Sequence, residues 1–415
     1  PRIVMKKNYY VSIFTSVSLL TTACSRDDNL DTKNSKSERQ AFIIEEAFPD
    51  TPKELVTLPS GIQVEKVDSI YILGGDIILT QAQVDSLSRP ATRGAIITGV
   101  GKKWDYGIVF YRIATPDNHE KIQAAIQEWE AQTDLCFWEA VVPYNKDYIK
   151  FISGSGNWSK LGKVGGAQEL CLYPDARSNT GTAIHEIGHA IGLFHEQCRT
   201  DRDNYITINW NNIKSDKQHN FRTYVESGYS GENINQFDFN SIMLYSSYIG
   251  DENFVHNPNI PVITKKDGST FTGQRSHLSE GDITTVNSRY PNYKPSLICT
   301  YYGGRTEQLI LNGGQPAGYS EYSTFVFMTK EPAKSDFRIQ LTEHCLETSR
   351  DYDDVEWANN FYITIPAGSR TATHEINDTY YRYDDYGWTH VSRKLEIHND
   401  SILIMSNPND IILES

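Results

Sequence analysis

The 415-residue sequence predicts an α+β domain followed by a smaller, all-β, sandwich-like domain. Three observations predict it. Helix-like and strand-like segments alternate irregularly between about residues 104 and 290. A histidine-rich run on a helical period sits in the middle of that stretch, at 185–195. After Cys299, short apolar stretches such as Phe325-Val326-Phe327, Ile339-Gln340-Leu341 and Phe361 to Ile365 alternate with turns such as Pro366-Ala367-Gly368 and Asn399-Asp400. The length has room for about two or three domains. A net charge of −14 weighs against nucleic acid and anionic membranes as partners.

The amino terminus reads as an export signal. Met5 is the natural start, with Pro1 to Val4 a scar ahead of it. Lys6 and Lys7 precede an apolar run from Val11 to Leu20 that is too short for a stable span, and residues 1–24 end in Thr21-Thr22-Ala23-Cys24. Cys24 resembles the cysteine of a bacterial lipobox, with Thr21 where leucine is usual, which implies a lipid anchor at Cys24. Ordinary cleavage near Ala23 fits the same residues. The expected location is secreted or on the bacterial envelope, as an outer-membrane lipoprotein. Ser25 to Glu38 is polar and reads as a tether.

Within the α+β domain, Ile122, Ile126 and Trp129 fall on one face of a helix over about 117–132. Strands are expected at 136–138 and 148–152, a further helix from about Thr180, and a last one over 279–290 with Ile283, Val286 and Tyr290 on one side.

The chemistry lies in His185-Glu186-Ile187-Gly188-His189-Ala190-Ile191-Gly192-Leu193-Phe194-His195. His185 and His189 project from one helix face, a turn apart, so both reach one ion. At roughly 100° per residue His195 cannot share that face, so the helix must stop between the two. Gly192 permits the stop because it tolerates the left-handed conformation. Three neutral imidazoles leave a fourth position for water, the arrangement of a catalytic zinc site. Glu186, beside the first histidine, can take a proton from that water. A bare HExxH occurs by chance on buried helices; the added glycine and third histidine make this an extended motif that also calls for a downstream methionine turn. Ser241-Ile242-Met243-Leu244-Tyr245 supplies one, although a methionine there is often only apolar filler.

These residues resemble the metzincins, and among them the astacin family. The run from His195 to Asn209, with Glu196 directly after the third histidine, is similar to the family's segment at that place. SIMLY resembles its SxMHY turn, with Leu244 where histidine is usual. The resemblance covers about Trp104 to Cys299 and implies a two-subdomain catalytic domain with a zinc cleft. It implies one catalytic Zn2+ on His185, His189 and His195, with Glu186 as general base. It also implies that Tyr245 ligates the resting metal and swings away to stabilise the oxyanion, and that Met243 floors the site.

Upstream, residues 25–93 read as tether and propeptide. Leu73-Gly74-Gly75-Asp76 is similar to the family's FxGD pro-motif, which makes Asp76 the zymogen's zinc ligand in the place of water. The same residues also read as a Gly-Gly-Asp turn between two apolar pairs, Tyr71-Ile72 and Ile77-Ile78, and the two readings are compatible. Activation by another protease is expected at Arg93-Gly94, since proline follows Arg89. The new amine at Gly94 or Ala95 would then reach Glu196, whose bland reading is a solvent-facing acid. The catalytic domain is expected over 94–299 and the β-domain over 300–415. Gly165 to Cys171 matches the family's edge strand, on which an extended peptide can add as a further strand. Gly273-Gln274-Arg275 resembles the GQR segment of some astacins, which makes Arg275 a substrate contact preferring Asp or Glu after the cut; a surface arginine is the alternative.

Six cysteines suit an oxidising compartment. By resemblance, Cys136 pairs with Cys299. Cys171 matches another family cysteine whose usual partner, near Asn157, is missing, and Cys198 is the substitute assigned to it; Cys345 stands alone. The function that follows is a zinc endopeptidase acting on protein or peptide substrates. A surface-adhesion lipoprotein with an idle metzincin domain is the alternative, and a zinc hydrolase of non-peptide bonds is a third.

Overall fold

The computed structural model describes residues 44–89, 102–290, 294–310, 316–350, 352–382, 388–398, 402–405 and 411–413. The signal segment through Cys24, the tether and the Arg93-Gly94 bond lie outside them.

Short apolar pairs separated by turns build the first described segment. Its strands β1 (Glu54–Thr57), β2 (Gln63–Val67), β3 (Ile70–Leu73) and β4 (Ile77–Leu79) form an antiparallel sheet in sequence order. Val64, Leu73, Ile77 and Leu79 pack on Val84 and Leu87 of α1 (Gln81–Leu87). Thr80 starts that helix with a reciprocal cap shared with Gln83. The turn between β3 and β4 is Gly74-Gly75-Asp76, with the glycines at φ 66° and 98°, a region that favours glycine.

The central domain opens with β5 (Ile108–Ile113), α2 (His119–Gln132), β6 (Cys136–Glu139), β7 (Tyr148–Ser153) and β8 (Ala167–Leu172), then α3 (Thr180–Ala190). The four strands pair in parallel in the order β6-β5-β7-β8. α2 buries Ile122, Ala125, Ile126 and Trp129, the face its periodicity marks. It begins at His119, two residues inside the expected bound, because Asn118 is left-handed. The indole N–H of Trp129 donates to Ile184 O at 3.1 Å, and that of Trp104 to Ala190 O at 2.9 Å, so two buried indoles fix α3 on the sheet.

The expected edge strand is β8, the last strand of that order. β8 pairs with β7 on one side and bridges Trp158 through Cys171 on the other. Beyond that bridge lies the glycine-broken segment 154–159, and the first described segment lies on it. Ala47 bridges Gly156 antiparallel and Ile77 bridges Ser159 in parallel. A Cβ on Gly156 would stand 2.6 Å from Glu46 O, so only glycine lets the two backbones meet here.

Between α3 and α4 (Glu280–Arg289) the chain is mostly irregular, apart from a ribbon of β9 (Ile206–Ile208) and β10 (Ile263–Lys265). A second core of Ile206, Phe221, Leu244, Tyr245, Phe254 and Ile263 supports it, separate from the core that holds Ile187, Met243 and Val286.

The remainder is all β: β11 (Leu297–Ile310), β12 (Pro316–Thr329), β13 (Phe337–Ser349), β14 (Val355–Ile365), β15 (Thr371–Arg382), β16 (Trp388–His398), β17 (Ile402–Ile404) and β18 (Ile411–Leu413). Where two separate sheets were expected, one hydrogen-bonded sheet runs β14-β13-β16-β15-β12-β11-β17, with β18 beside β16. β15 and β16 pair only from Thr379–Arg382 to Trp388–Val391. Phe325 and Phe327 of one half share a core with Ile339, Leu341 and Ile397 of the other. Ile298, Met328 and Leu403 pack instead against Ile108, Phe110 and Trp138, which joins this sheet to the central domain.

The disulfides are a correction. Cys136, Cys171, Cys198, Cys299 and Cys345 are all free and buried. Side chains alternate along β11, so Ile298 faces the central domain near Cys136 while Cys299 points into the core of its own sheet. Cys171 packs with Trp158 and Ile152, whereas Cys198 Sγ lies 3.6 Å from Asn220 O, so neither expected pair meets.

Candidate metal centre and peptide cleft

α3 carries the first two histidines because its whole length is buried between sheet and methionine turn. Asn179 caps its start by accepting from Thr182 N–H at 2.9 Å. Its end follows the glycine rule: Gly192 has φ 101°, its N–H donates to His189 O, and Leu193 N–H donates to Gly188 O, both at 2.9 Å. That reversal brings His195 back over the helix.

His185 Nδ1–H donates to Ile242 O at 2.9 Å and His189 Nδ1–H to Leu193 O at 2.8 Å, which leaves each Nε2 a lone pair for a metal. Asp76 Oδ2 lies 3.4, 3.5 and 3.0 Å from Nε2 of His185, His189 and His195. His185 Nε2 and His195 Nε2 are 3.3 Å apart. Ligands about 2.0–2.1 Å from a tetrahedral zinc ion stand about 3.3 Å from one another. The four groups therefore fit one such ion, and they are all buried.

The charges call for a cation as well. Burial works against the Asp76 carboxylate, and the imidazoles of His195 and His189 hold it well below its usual range. Glu186 is pushed well up, first by burial and then by the carboxylates of Asp76 and Glu45. Both Glu186 oxygens are buried without a hydrogen-bond partner. Two buried acids beside three imidazoles fit a divalent ion.

Tyr245 is fully buried, its ring 4.7 Å from that of His195. Its hydroxyl donates to Gly74 O, in the turn between β3 and β4, at 3.2 Å. Met243 lies under α3, where a Cβ on Gly188 would stand 2.6 Å from its sulfur. Asp282 of α4 secures the turn by accepting from Ser241 Oγ at 2.7 Å and Ile242 N–H at 2.9 Å.

Arg275 is no surface arginine. A Cβ on Gly181, in the first turn of α3, would stand 1.9 Å from Arg275 O, so the loop lies against the helix. Its side chain is 8% exposed and its guanidinium binds Glu45 through two hydrogen bonds, of 2.7 and 2.8 Å. Glu196 points elsewhere. It accepts from Asp238 N–H at 2.8 Å, burial lifts it to about 7, and it borders a cavity of about 630 Å³ with Lys103, Arg199 and Arg289.

Residues 97–291 match the astacin peptidase family. The chain carries an astacin domain. Protein SpAN of Strongylocentrotus purpuratus is 32% identical over 268 residues, which are 60% of this chain and 42% of that protein. Flavastacin of Elizabethkingia meningoseptica is 34% identical over 234 residues, 52% of this chain and 50% of that one. The chain thus spans about half the length of these curated relatives. Among solved structures, high choriolytic enzyme 1, a hatching enzyme zinc-protease from Oryzias latipes, is similar at 31% identity, covering 46% of this chain and 94% of that one with a TM-score of 0.40.

The astacin domain takes in the three histidines, Glu186, Glu196, Met243, Tyr245 and Arg275; the match reaches neither the segment from β1 to α1 nor the C-terminal sheet. Sequence reasoning missed Glu45, Asp282 and the backbone carbonyl of Gly74. The Glu45-Glu46 doublet falls in an acidic stretch without periodicity, and a carbonyl leaves no mark on a sequence. Asp282 was visible only as a first-turn acid of α4.

Proposed function

We propose that this chain is the zymogen of a zinc endopeptidase. Residues 25–93 would serve as tether and propeptide, 94–299 as the catalytic domain and 300–415 as a β-domain. The observation that carries the reading is Asp76 Oδ2, within 3.5 Å of all three histidine Nε2 atoms, where a water nucleophile would stand. The adhesion alternative gains no support here, since His185, His189 and His195 lie together with Asp76 and Glu186 is present beside them.

When bound, the ion supplies Lewis acidity to a water molecule and to the scissile carbonyl. Glu186, now without a partner, takes the water's proton and delivers it to the leaving amine. Tyr245 gives up Gly74 O and donates to the developing oxyanion; in the resting mature site it would join the ligands. Arg275 offers a carboxylate-binding guanidinium beside α3, which supports a preference for Asp or Glu after the cut. Cleavage at Arg93-Gly94 would release a new amine for Glu196, and the cavity bordering that residue has room for it. The signal-like segment and Cys24 support export to a bacterial envelope, where a lipid anchor would hold the enzyme.

The test is hydrolysis of a quenched peptide with Asp after the scissile bond, before and after limited trypsin treatment. Activity is expected only after the cut and only without chelator. Glu186→Gln should keep its zinc and lose about 10²- to 10⁴-fold in kcat. Near-normal turnover in that variant would sink the mechanism.

A further inference from the structure

Asn220 lies in a single helical turn, Gln218–Phe221, within the irregular stretch between α3 and α4. Its backbone is held firmly. The N–H donates to Lys217 O at 3.2 Å, and the carbonyl faces Cys198 Sγ at 3.6 Å. Phe221, next in the chain, packs its ring 6.1 Å from that of Tyr245 and 5.9 Å from that of Phe254. The side chain is treated differently. It is 1% exposed, yet neither Nδ2 nor Oδ1 has a hydrogen-bond partner among the described residues. A carboxamide buried in that state costs stability, so its retention calls for a reason. Its position offers one. Nδ2 would stand 3.8 Å from a Cβ on Gly75, and the Tyr245 hydroxyl 3.6 Å from the same point. Asn220 and Tyr245 thus look onto one spot, which the turn carrying Asp76 now fills. With Gly74 and His195, Asn220 also lines a cavity of about 20 Å³ beside that turn.

We propose that Asn220 is a substrate-binding residue whose carboxamide pairs with the main chain of a bound peptide, where Gly74 and Gly75 now lie. Nδ2 donates to a peptide carbonyl and Oδ1 accepts from a peptide N–H, so one side chain matches both polar groups of a backbone. The contact reads main chain and not side chain. It is therefore blind to sequence, unlike the guanidinium of Arg275. The inference rests on the endopeptidase reading, but peptide binding can be measured without turnover. It also explains the orphaned amide: a group that lacks partners in the uncut chain gains them only from substrate.

The test compares the full chain with its Asn220→Leu variant, in which leucine keeps the shape and drops both polar atoms. Uncut, the variant should melt at the same temperature or above, because it loses no hydrogen bond. After trypsin activation, its KM should rise roughly tenfold with kcat unchanged, and equally for quenched peptides with Asp or Ala after the scissile bond. Calorimetry in a Glu186→Gln background, on peptides that stay uncut, should show the same tenfold loss of affinity. A series of these peptides, each with one amide near the scissile bond replaced by an ester, locates the contact. One ester should bind the Asn220 protein more weakly than its parent peptide, and the two should bind Asn220→Leu alike. A melting temperature several degrees lower in the uncut variant would overturn the proposal, since the side chain would then be serving the fold. Equal affinity with and without Asn220 would overturn it too. So would an ester series without effect on the Asn220 protein, a result that needs no variant at that position. Asn220-dependent binding by a protein that cleaves no peptide would keep the contact and remove the endopeptidase reading. Cleavage with a KM unmoved by Asn220→Leu would do the reverse.

Discussion

Arg275 and Glu45 meet with both charges out of water, and the pair carries a pH signature. Burial works against the Glu45 carboxylate, but the Arg275 guanidinium outweighs it and brings Glu45 from its ordinary 4.5 down to about 2. A carboxylate depressed by folding stabilises the folded chain fully above its unfolded value and loses that contribution as pH falls through the folded one. The stability advantage of the uncut chain over its Glu45→Gln variant should therefore be full above about pH 4.5. It should shrink towards pH 2 by an amount on the order of 3 kcal/mol. Urea unfolding of both proteins across that range measures it, and a difference that stays flat would count against the pair. Residues of this kind are where the sequence was least legible. His185, His189 and Glu186 could be read because helical spacing places them together within one segment. The partners Arg275 and Glu45 lie 230 positions apart, and no local pattern joins them. Arg275 was visible through a resemblance; Glu45 was not visible at all.

At the scale of elements, the end of α3 does the most for the site. Gly192 turns the chain at φ 101°, and its added Cβ would stand 3.0 Å from Nη2 of Arg289. Gly192→Ala should cost about 1–3 kcal/mol, and because His195 follows the turn, zinc content should fall with it. Thermal unfolding together with metal analysis tests both, and an unchanged melting temperature at full zinc occupancy would be the wrong result. This stop was legible, since the third histidine needed it. The helices were legible too: α2, α3 and α4 end within two residues of where their apolar spacing puts them. The sheet rim was not. Gly154 and Gly156 erase any strand pattern in 154–159, and the segment holds its neighbours by single bridges, so what lies beyond β8 left no mark in the sequence.

Across the whole molecule, the change from a mixed α+β region to a β-rich C-terminal region was readable from composition and alternation. The way the last sheet folds over was not, because it depends on where β15 and β16 stop pairing. The cysteines show the same limit. Buried thiols in separate cores look like bridge partners when only their sequence positions are known. With Cys136, Cys171, Cys198, Cys299 and Cys345 all unpaired, a strong reductant should leave the melting temperature unchanged to within about a degree. A fall of several degrees would mean that a bridge exists.

The segment from Glu45 to Leu87 also holds on by charge. Lys217 of the astacin domain binds Glu46 at 3.0 Å and Glu65 at 2.6 Å, in addition to the contacts at Arg275 and the metal site. While one backbone joins the two parts, every contact forms at an effective concentration of about millimolar. A cut in the connection changes none of the contacts; it turns their equilibrium from unimolecular to bimolecular. If the chain is the zymogen proposed above, cleavage would begin activation and dilution would complete it, so a crowded pool of cut enzyme would stay partly silenced while the same enzyme, dispersed, would be free to act.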